Sequence, residues 1–187
     1  MKHNKGFTLI ELMISIAIFS ILMLSVMGFL VVGSRSYTNV SSSVTIQTQA
    51  QQTMAQIQEY LIDCNGGVFW DDQSKLLAVV NFDQNRDFMI HAFQYDAEKK
   101  SLSYGENKLS KDSTEIPPPD TPDLMASHLT AFSISLPTTN GALPSLTAKM
   151  TFAFRAATQD TNQTISLRNQ AITATTYEDL IQTLRAD

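Results

Sequence analysis

The sequence predicts an α+β protein in which one long N-terminal helix packs on an antiparallel β-sheet. Two observations carry this prediction. An apolar run opens the chain and continues, without an interrupting proline, into a helical pattern that ends near residue 64. After Gly67 the spacing of apolar residues changes to an alternation of two, which is typical of strands with one buried face.

The apolar run has the length of a membrane segment. About 21 residues from Leu12 to Val32 carry no charge, which is enough for a helix to cross the bilayer core. Lys2 and Lys5 precede the run, as expected on the cytoplasmic side. Glu11 lies at its start, where a carboxylate is costly to bury and needs a partner. We therefore expect a transmembrane helix with one functional ionisable residue.

Two simpler interpretations of this run are weaker. A secretory signal peptide has a shorter apolar region followed by a small-x-small cleavage site. Here the run is longer, it contains Glu11, and no such site follows it. A plain signal anchor explains the lysines and the apolar run, but it leaves Glu11 without a role.

The helix is predicted to continue beyond the membrane segment. Apolar residues recur at steps of three and four and form one stripe, against a face rich in glutamine: Tyr37, Val40, Val44, Ala50, Met54, Ile57 and Leu61. Asn65, Gly66 and Gly67 are expected to end the helix in a left-handed C-cap. A helix over residues 7–63 would be about 80–85 Å long.

The remaining chain predicts short strands, turns and a final helix. A polar loop over residues 110–122 contains three consecutive prolines, and residues 138–141 form a turn. Thr175 and Glu178 have the spacing of a capping box before a short amphipathic helix. Strands are predicted at residues 68–70, 76–82, 88–95, 102–104, 129–136, 146–154 and 164–167.

Composition limits the function classes. The 187 residues suit the helix and one globular domain, and the net charge of −5 argues against direct nucleic-acid binding. Cys64 is the single cysteine, so an intrachain disulfide is impossible. A buried thiol and an intermolecular bond both remain open.

Residues suited to catalysis or metal binding are sparse. His91 and His128 occur singly on strand-like stretches, and we find no nucleophile motif, phosphate-binding loop or paired-cysteine spacing. Asp83, Asn85 and Asp87 resemble the first half of a calcium loop, but the later glycine and glutamate positions hold other residues. A hairpin turn explains these three residues better. We therefore predict no catalytic residue, no metal and no cofactor.

The N-terminal motif Lys-Gly-Phe-Thr-Leu-Ile-Glu, residues 5–11, resembles the processing motif of type IV prepilins and type II secretion pseudopilins. The resemblance implies a pilin-like fold and cleavage between Gly6 and Phe7 by a prepilin peptidase. It also implies N-methylation of Phe7 and pairing of Glu11 with the α-amine of a neighbouring subunit, which sets the register of assembly. Loss of Lys2 and Lys5 with the leader would change the net charge from −5 to −7.

The resemblance implies four segments. These are a leader (1–6), a transmembrane and filament-core helix (7–32), an amphipathic continuation (33–64) and a β-rich domain with a short C-terminal helix (65–187). The implied partners are other pilin or pseudopilin subunits, the prepilin peptidase and methyltransferase, the inner-membrane assembly platform, and lipid before assembly. The implied location is the inner membrane, crossed once with the C-terminal domain outside, and then a filament in the periplasm or at the cell surface.

The C-terminal half resembles J-type minor pseudopilins and W-type minor pilins. The resemblance rests on the strand at Phe132–Leu136 and on a last strand that ends in Leu167, Arg168 and Asn169. It implies a low-abundance, non-enzymatic subunit of a tip or initiation complex. The alternatives are a competence pilin for DNA uptake, a membrane-anchored binding or adhesion module that does not polymerise, and a membrane-anchored hydrolase.

Overall fold

The computed structural model of the protein describes residues 8–113, 116–136 and 143–186. It confirms the predicted α+β class, with a long helix packed against antiparallel sheets. The predicted turn at 138–141 lies outside the described residues. The elements are α1 (Leu9–Ile62), β1 (Gly67–Asp71), β2 (Leu76–Phe82), β3 (Phe88–Asp96), β4 (Ser101–Leu109), β5 (Asp123–Ala126), β6 (Leu129–Ser135), β7 (Leu143–Phe154), β8 (Ala157–Ala171) and α2 (Tyr177–Ala186).

The chain divides into two compact units, residues 1–41 and 42–187. In the first unit, every large apolar side chain between Leu9 and Val32 is at least 50% exposed. In the second unit, α1 buries one face at helical spacing: Ser42, Ile46, Ala50, Thr53, Met54, Ile57 and Leu61. That second part of α1 is the amphipathic helix that the sequence predicted.

Three residues of the predicted apolar stripe are exposed instead of buried. Tyr37 is 76% exposed, Val40 60% and Val44 56%. The first two precede Ser42, where the second compact unit begins. Val44 lies two residues from both Ser42 and Ile46, which places it about 200° around the helix from each, on the opposite face.

The strands form two antiparallel sheets where the sequence predicted one. The five-stranded sheet has the order β1-β2-β3-β4-β5, and the three-stranded sheet has the order β6-β7-β8. Strand β5 was not predicted, and β4 and β8 extend far beyond the predicted 102–104 and 164–167. The added parts of β4 and β8 are largely polar, so apolar alternation does not mark them.

The five-stranded sheet is buried on both faces, not on one as the alternation predicted. On β2, Leu77 and Val79 join the core under α1, whereas Ala78 and Val80 join a second core under α2. This explains why β2 is a continuous apolar run. The three-stranded sheet contributes Phe132, Met150 and Phe152 to the α1 core, among others.

The end of α1 is not the left-handed C-cap that the sequence predicted. None of residues 65–67 has a positive φ angle. The amide of Cys64 instead donates to the Leu61 carbonyl at 3.1 Å. The two glycines are needed for close packing: a Cβ on Gly66 would lie 2.6 Å from the Val80 carbonyl oxygen, and one on Gly67 2.9 Å from that of Ile172.

The Leu-Arg-Asn segment of β8 fastens the end of α1 to the sheet. Asn169 donates its side-chain amide to the Cys64 carbonyl at 3.2 Å. Arg168 pairs with Asp63 at 2.7 Å, although both side chains are exposed. Asp63 and Cys64 directly follow α1, which ends at Ile62, so these two contacts tie the exit of the helix to β8.

Cys64 is a buried thiol, as one of the two sequence interpretations had it. Its side chain is fully buried and donates towards the carbonyls of Gly67 and Val80, each at 3.6 Å. Burial raises the pKa of the Cys64 thiol to about 11. A buried, protonated thiol is unreactive, which disfavours an intermolecular disulfide.

The C-terminal helix is capped one residue later than predicted. The hydroxyl of Thr176, not of Thr175, accepts the amide of Asp179 at 3.1 Å. The reason is that α2 begins at Tyr177, which makes Thr176 the N-cap residue and Asp179 the third helical residue.

His91 of β3 is buried against α1. Its ring stacks on Tyr60 with centroids 4.3 Å apart, and its Nδ1 lies 3.0 Å from the Tyr104 hydroxyl. The same hydroxyl lies 3.3 Å from the Glu106 carboxylate, to which it donates. Burial lowers the pKa of His91, and the nearby Glu106 carboxylate opposes this only in part.

The hydrogen bond from Asn169 to the Cys64 carbonyl predicts a measurable loss of stability when Asn169 is truncated. Asn169→Ala leaves the Cys64 carbonyl without its side-chain donor and should lower the free energy of unfolding by about 1 kcal/mol. The measurement is urea unfolding of the full chain in detergent micelles, followed by the fluorescence of Trp70, its one tryptophan. Asn162→Ala, at an exposed position on the same strand, is the matched control and should change stability by less than about 0.5 kcal/mol. Equal effects of the two substitutions would show that the bond from Asn169 to Cys64 does not stabilise the fold.

His91 predicts a loss of stability in mild acid. Because the folded-state pKa lies below the ordinary value of about 6.5, the unfolded chain takes up the proton first. Stability should therefore fall as the pH drops below about 6.5, and level off below the folded pKa. His91→Gln removes this contribution, so its urea midpoint should depend less on pH between about 7.5 and 5. Parallel pH profiles for the two proteins would refute the assignment.

Candidate functional site at the start of the N-terminal helix

The predicted processing residues Gly6 and Phe7 lie outside the described residues. The description begins at Thr8, and α1 begins at Leu9. Glu11 therefore lies in the first turn of the helix, two residues after its first residue. What the structure adds at this site is the local bonding of the Glu11 carboxylate.

Thr8 and Glu11 form a capping box. The Glu11 Oε2 atom accepts both the Thr8 amide, at 2.9 Å, and the Thr8 hydroxyl, at 2.8 Å. The Thr8 hydroxyl oxygen in turn accepts the Glu11 amide at 3.4 Å. These reciprocal bonds satisfy amides at the helix start that have no intrahelical partner.

This arrangement engages one oxygen of the carboxylate. Among the described residues, both hydrogen bonds that the Glu11 carboxylate accepts are accepted by Oε2. Its Oε1 atom therefore retains its accepting capacity for a donor from outside the chain. Sequence reasoning considered Glu11 only as an intermolecular partner and missed the cap, although threonine three residues before glutamate is the signal for it.

Three serines in the apolar run satisfy their own hydroxyls. Ser15, Ser20 and Ser25 donate to the carbonyls four residues earlier at 2.7, 2.8 and 3.0 Å. An unpaired hydroxyl in hydrocarbon is costly, so these bonds adapt the helix to an apolar medium. Within the described part of the chain, α1 is the one helix long and apolar enough to cross a membrane.

The possible calcium loop is a hairpin turn whose carboxylates already have a partner. Lys108 of β4 contacts Asp83 at 2.7 Å and Asp87 at 3.6 Å. Asp83 also accepts the amides of Asn85 and Asp87. The hydrogen bond from Lys108 is the main reason that the pKa of Asp83 is lowered. Any cation at this turn would have to displace the lysine.

The two histidines of the domain have packing partners. His91 lies in the aromatic cluster described above, and the His128 ring lies 4.3 Å from that of Phe154. Over residues 8–113, 116–136 and 143–186, no group of three or more His, Cys, Asp or Glu is placed to hold a metal ion.

Residues 1–27 match the family model of the prokaryotic N-terminal methylation motif. No curated protein and no solved structure matches the chain. The matched residues do not reach the segment between Phe132 and Asn169 that carries the resemblance to J-type and W-type subunits.

The match covers Gly6, Phe7, Glu11 and most of the apolar run. The motif implies processing by a prepilin peptidase and assembly with other pilin subunits, which are structural proteins. Together with the apolar N-terminal helix, it supports anchoring in the inner membrane by a single pass. The chain therefore has the features of a precursor of the type IV pilin and pseudopilin kind.

Proposed function

We propose that the protein is a structural minor subunit of a type IV pilus or a type II secretion pseudopilus. In this proposal the peptidase removes residues 1–6, Phe7 becomes the methylated N-terminus, and residues 7–32 enter the filament core. The observation that supports it most is the methylation-motif match at the head of a helix whose large apolar side chains between Leu9 and Val32 are all exposed.

The exposed apolar helix supplies the force for assembly. Each side chain between Leu9 and Val32 has few neighbours in the single chain, so a lipid or protein partner must cover it. In a bilayer the partner is lipid, and in a filament it is the same segment of neighbouring subunits. The assembly platform and its ATP-driven motors, which are other proteins, provide the work of extraction.

Glu11 sets the register of the assembled helices in this mechanism. Its Oε2 stays with Thr8, and its Oε1 accepts the α-amine of Phe7 in a neighbour. A subunit that docked out of register would bury both charges unpaired, which costs several kcal/mol. The axial position of each subunit thus depends on one ion pair, because the apolar helix surfaces around it carry no other charge.

The domain outside the membrane carries the identity of the subunit. We propose residues 33–64 as the amphipathic continuation of the helix and 65–187 as the globular domain. The Leu-Arg-Asn segment of β8 supports assignment to the J-type and W-type group, and with it a place in a tip or initiation complex. The domain then acts by contact with neighbouring subunits, without catalysis.

The intact N-terminal mass tests processing. In the host, the chain should begin at N-methylated Phe7 when the prepilin peptidase is present and at Met1 when it is deleted. A chain that begins at Met1 in both strains would instead indicate an anchored binding module that does not polymerise.

Glu11→Gln separates the register role from the capping role. Glutamine still accepts from Thr8, so the cap persists, but it cannot form an ion pair with an amine. We expect normal cleavage and at least a tenfold loss of filament incorporation, which corresponds to about 1.4 kcal/mol. Quantitative immunoblotting of sheared filaments measures incorporation.

Thr8→Val is the matched control for this experiment. It removes the capping hydroxyl, at a cost of about 1 kcal/mol of helix stability, and keeps the carboxylate. We expect incorporation close to that of the wild type. Wild-type incorporation of Glu11→Gln together with a defect in Thr8→Val would show that Glu11 acts as a helix cap alone.

A further inference from the structure

A groove runs between the second part of α1 and strand β5. It consists of two adjoining cavities of about 260 and 490 Å³, which share Gln56 of α1 and Met125 of β5. Tyr60, Tyr104 and Leu124 line the smaller cavity, and Gln49, Gln52 and Thr53 line the larger one. The groove lies entirely within the unit of residues 42–187.

One wall of this groove is an open sheet edge. Strand β5 is the last strand of the five-stranded sheet, and within the described residues only β4 pairs with it. The other edge of β5 therefore presents backbone amides and carbonyls that a further extended segment can pair with. Proteins usually protect such edges with lysine, proline or a covering loop.

Leu124 gives this edge no such protection, because it is apolar and exposed. Its side chain is 68% exposed. In the described part of residues 42–187, Val44 is the only other large apolar residue that is mostly exposed, at 56%. A single exposed leucine needs no explanation by itself. Here it lines a cavity that also has two stacked tyrosine rings, and it lies on an open strand edge. The exposed leucine, the aromatic lining and the open edge together describe a binding surface.

The lining favours a polypeptide over a small molecule. The smaller cavity falls below the usual volume of a ligand pocket, roughly 300–1,000 Å³, and suits one bulky side chain. Gln52, Gln56 and Leu124 are exposed, so the groove is an open channel and would leave a small ligand largely in water. Glutamine side chains offer donors and acceptors suited to a peptide backbone.

The charge of the groove indicates which side chain its occupant carries next to the apolar one. Asp123 is the one charged residue among those that line the two cavities. In the described residues it has no salt-bridge partner within 4 Å. A basic side chain beside the apolar one would complement it.

We propose that an extended segment of another filament subunit adds to the open edge of β5. The segment places one bulky apolar side chain against the stacked rings of Tyr60 and Tyr104 and a basic side chain beside Asp123, and its backbone pairs with residues 123–126. This inference rests on the proposed function, since it names a filament subunit as the partner. Edge addition obtains affinity from main-chain hydrogen bonds and specificity from the side-chain cavity.

Site-specific photo-crosslinking in the host tests the proposal. The full chain carries p-benzoylphenylalanine in place of Leu124, and irradiation is followed by mass spectrometry of the adducts. We expect an adduct with another pilin-type subunit, at a non-helical segment that contains an apolar residue next to a basic one. Asn162, exposed on the outer strand β8 of the other sheet, is the control position and should give at least fivefold less of this adduct.

A second variant tests the edge itself. With the crosslinker at Gln56, Leu124→Lys should reduce the adduct at least fivefold, because a charge on the open edge opposes strand addition. Leu124→Val, which keeps an apolar strand-forming residue, should preserve it. Adducts with lipid, with a helical segment or with a second copy of this chain, or no adduct, would overturn the inference.

The N-terminal mass and filament content of the same samples separate the two proposals. A methylated chain that is incorporated in filaments but gives no adduct would refute only the edge inference. A chain that begins at Met1 and is absent from filaments would refute both, because the named partner would then not exist.

Discussion

The fold depends on the backbone hydrogen bonding of α1. The helix is continuous over Leu9–Ile62 and satisfies its own backbone amides and carbonyls, so it can lie partly in lipid and partly in water without leaving these groups unpaired. Each end of this ladder needs partners from outside it. At the start, Thr8 and Glu11 satisfy each other. At the end, the Cys64 amide donates to the Leu61 carbonyl, and Asn169 donates to the Cys64 carbonyl just beyond the helix. In between, the serine hydroxyls of the apolar part bond back to their own helix, so the side chains add no unmet polar group where lipid is expected.

The helix end also organises the domain. Close to Cys64, backbone bonds join Val68 and Gly66 to Ile172, so the entry of the first strand and the exit of the last lie side by side. Glycine at positions 66 and 67 permits this approach. Asn65 reinforces it, because its side chain accepts the amide of Phe82 at 2.7 Å. The five-stranded sheet is thereby held between α1 on one face and α2 on the other, with two separate apolar cores.

Sequence reasoning predicted the elements that carry strong apolar patterns and missed those that do not. The bounds of β2 and the identity of β3 and α2 follow from apolar content. By contrast, β8 is mostly polar because its pairing with β7, not its burial, defines it. The four residues of β5 are too few to show a period. The exposure of Tyr37 and Val40 could not be predicted, because the apolar pattern does not mark where the compact domain begins.

At the candidate site, Glu11 stood out because it is charged in an apolar run. Its bond to Thr8 was overlooked because the cost of burial directed attention to a partner outside the chain.

The local cap lowers the cost of the Glu11 carboxylate in a single subunit. A carboxylate in an apolar run is costly to bury and is expected to need a partner. In the single chain, Thr8 already supplies two donors to one oxygen. The free subunit therefore avoids part of the cost and can persist in the bilayer before assembly. What remains for a neighbour is the second oxygen and the uncompensated charge, and an amine can neutralise that charge whereas a hydroxyl cannot. In the proposed filament, the discrimination between correct and incorrect register then comes from charge neutralisation rather than from hydrogen-bond count.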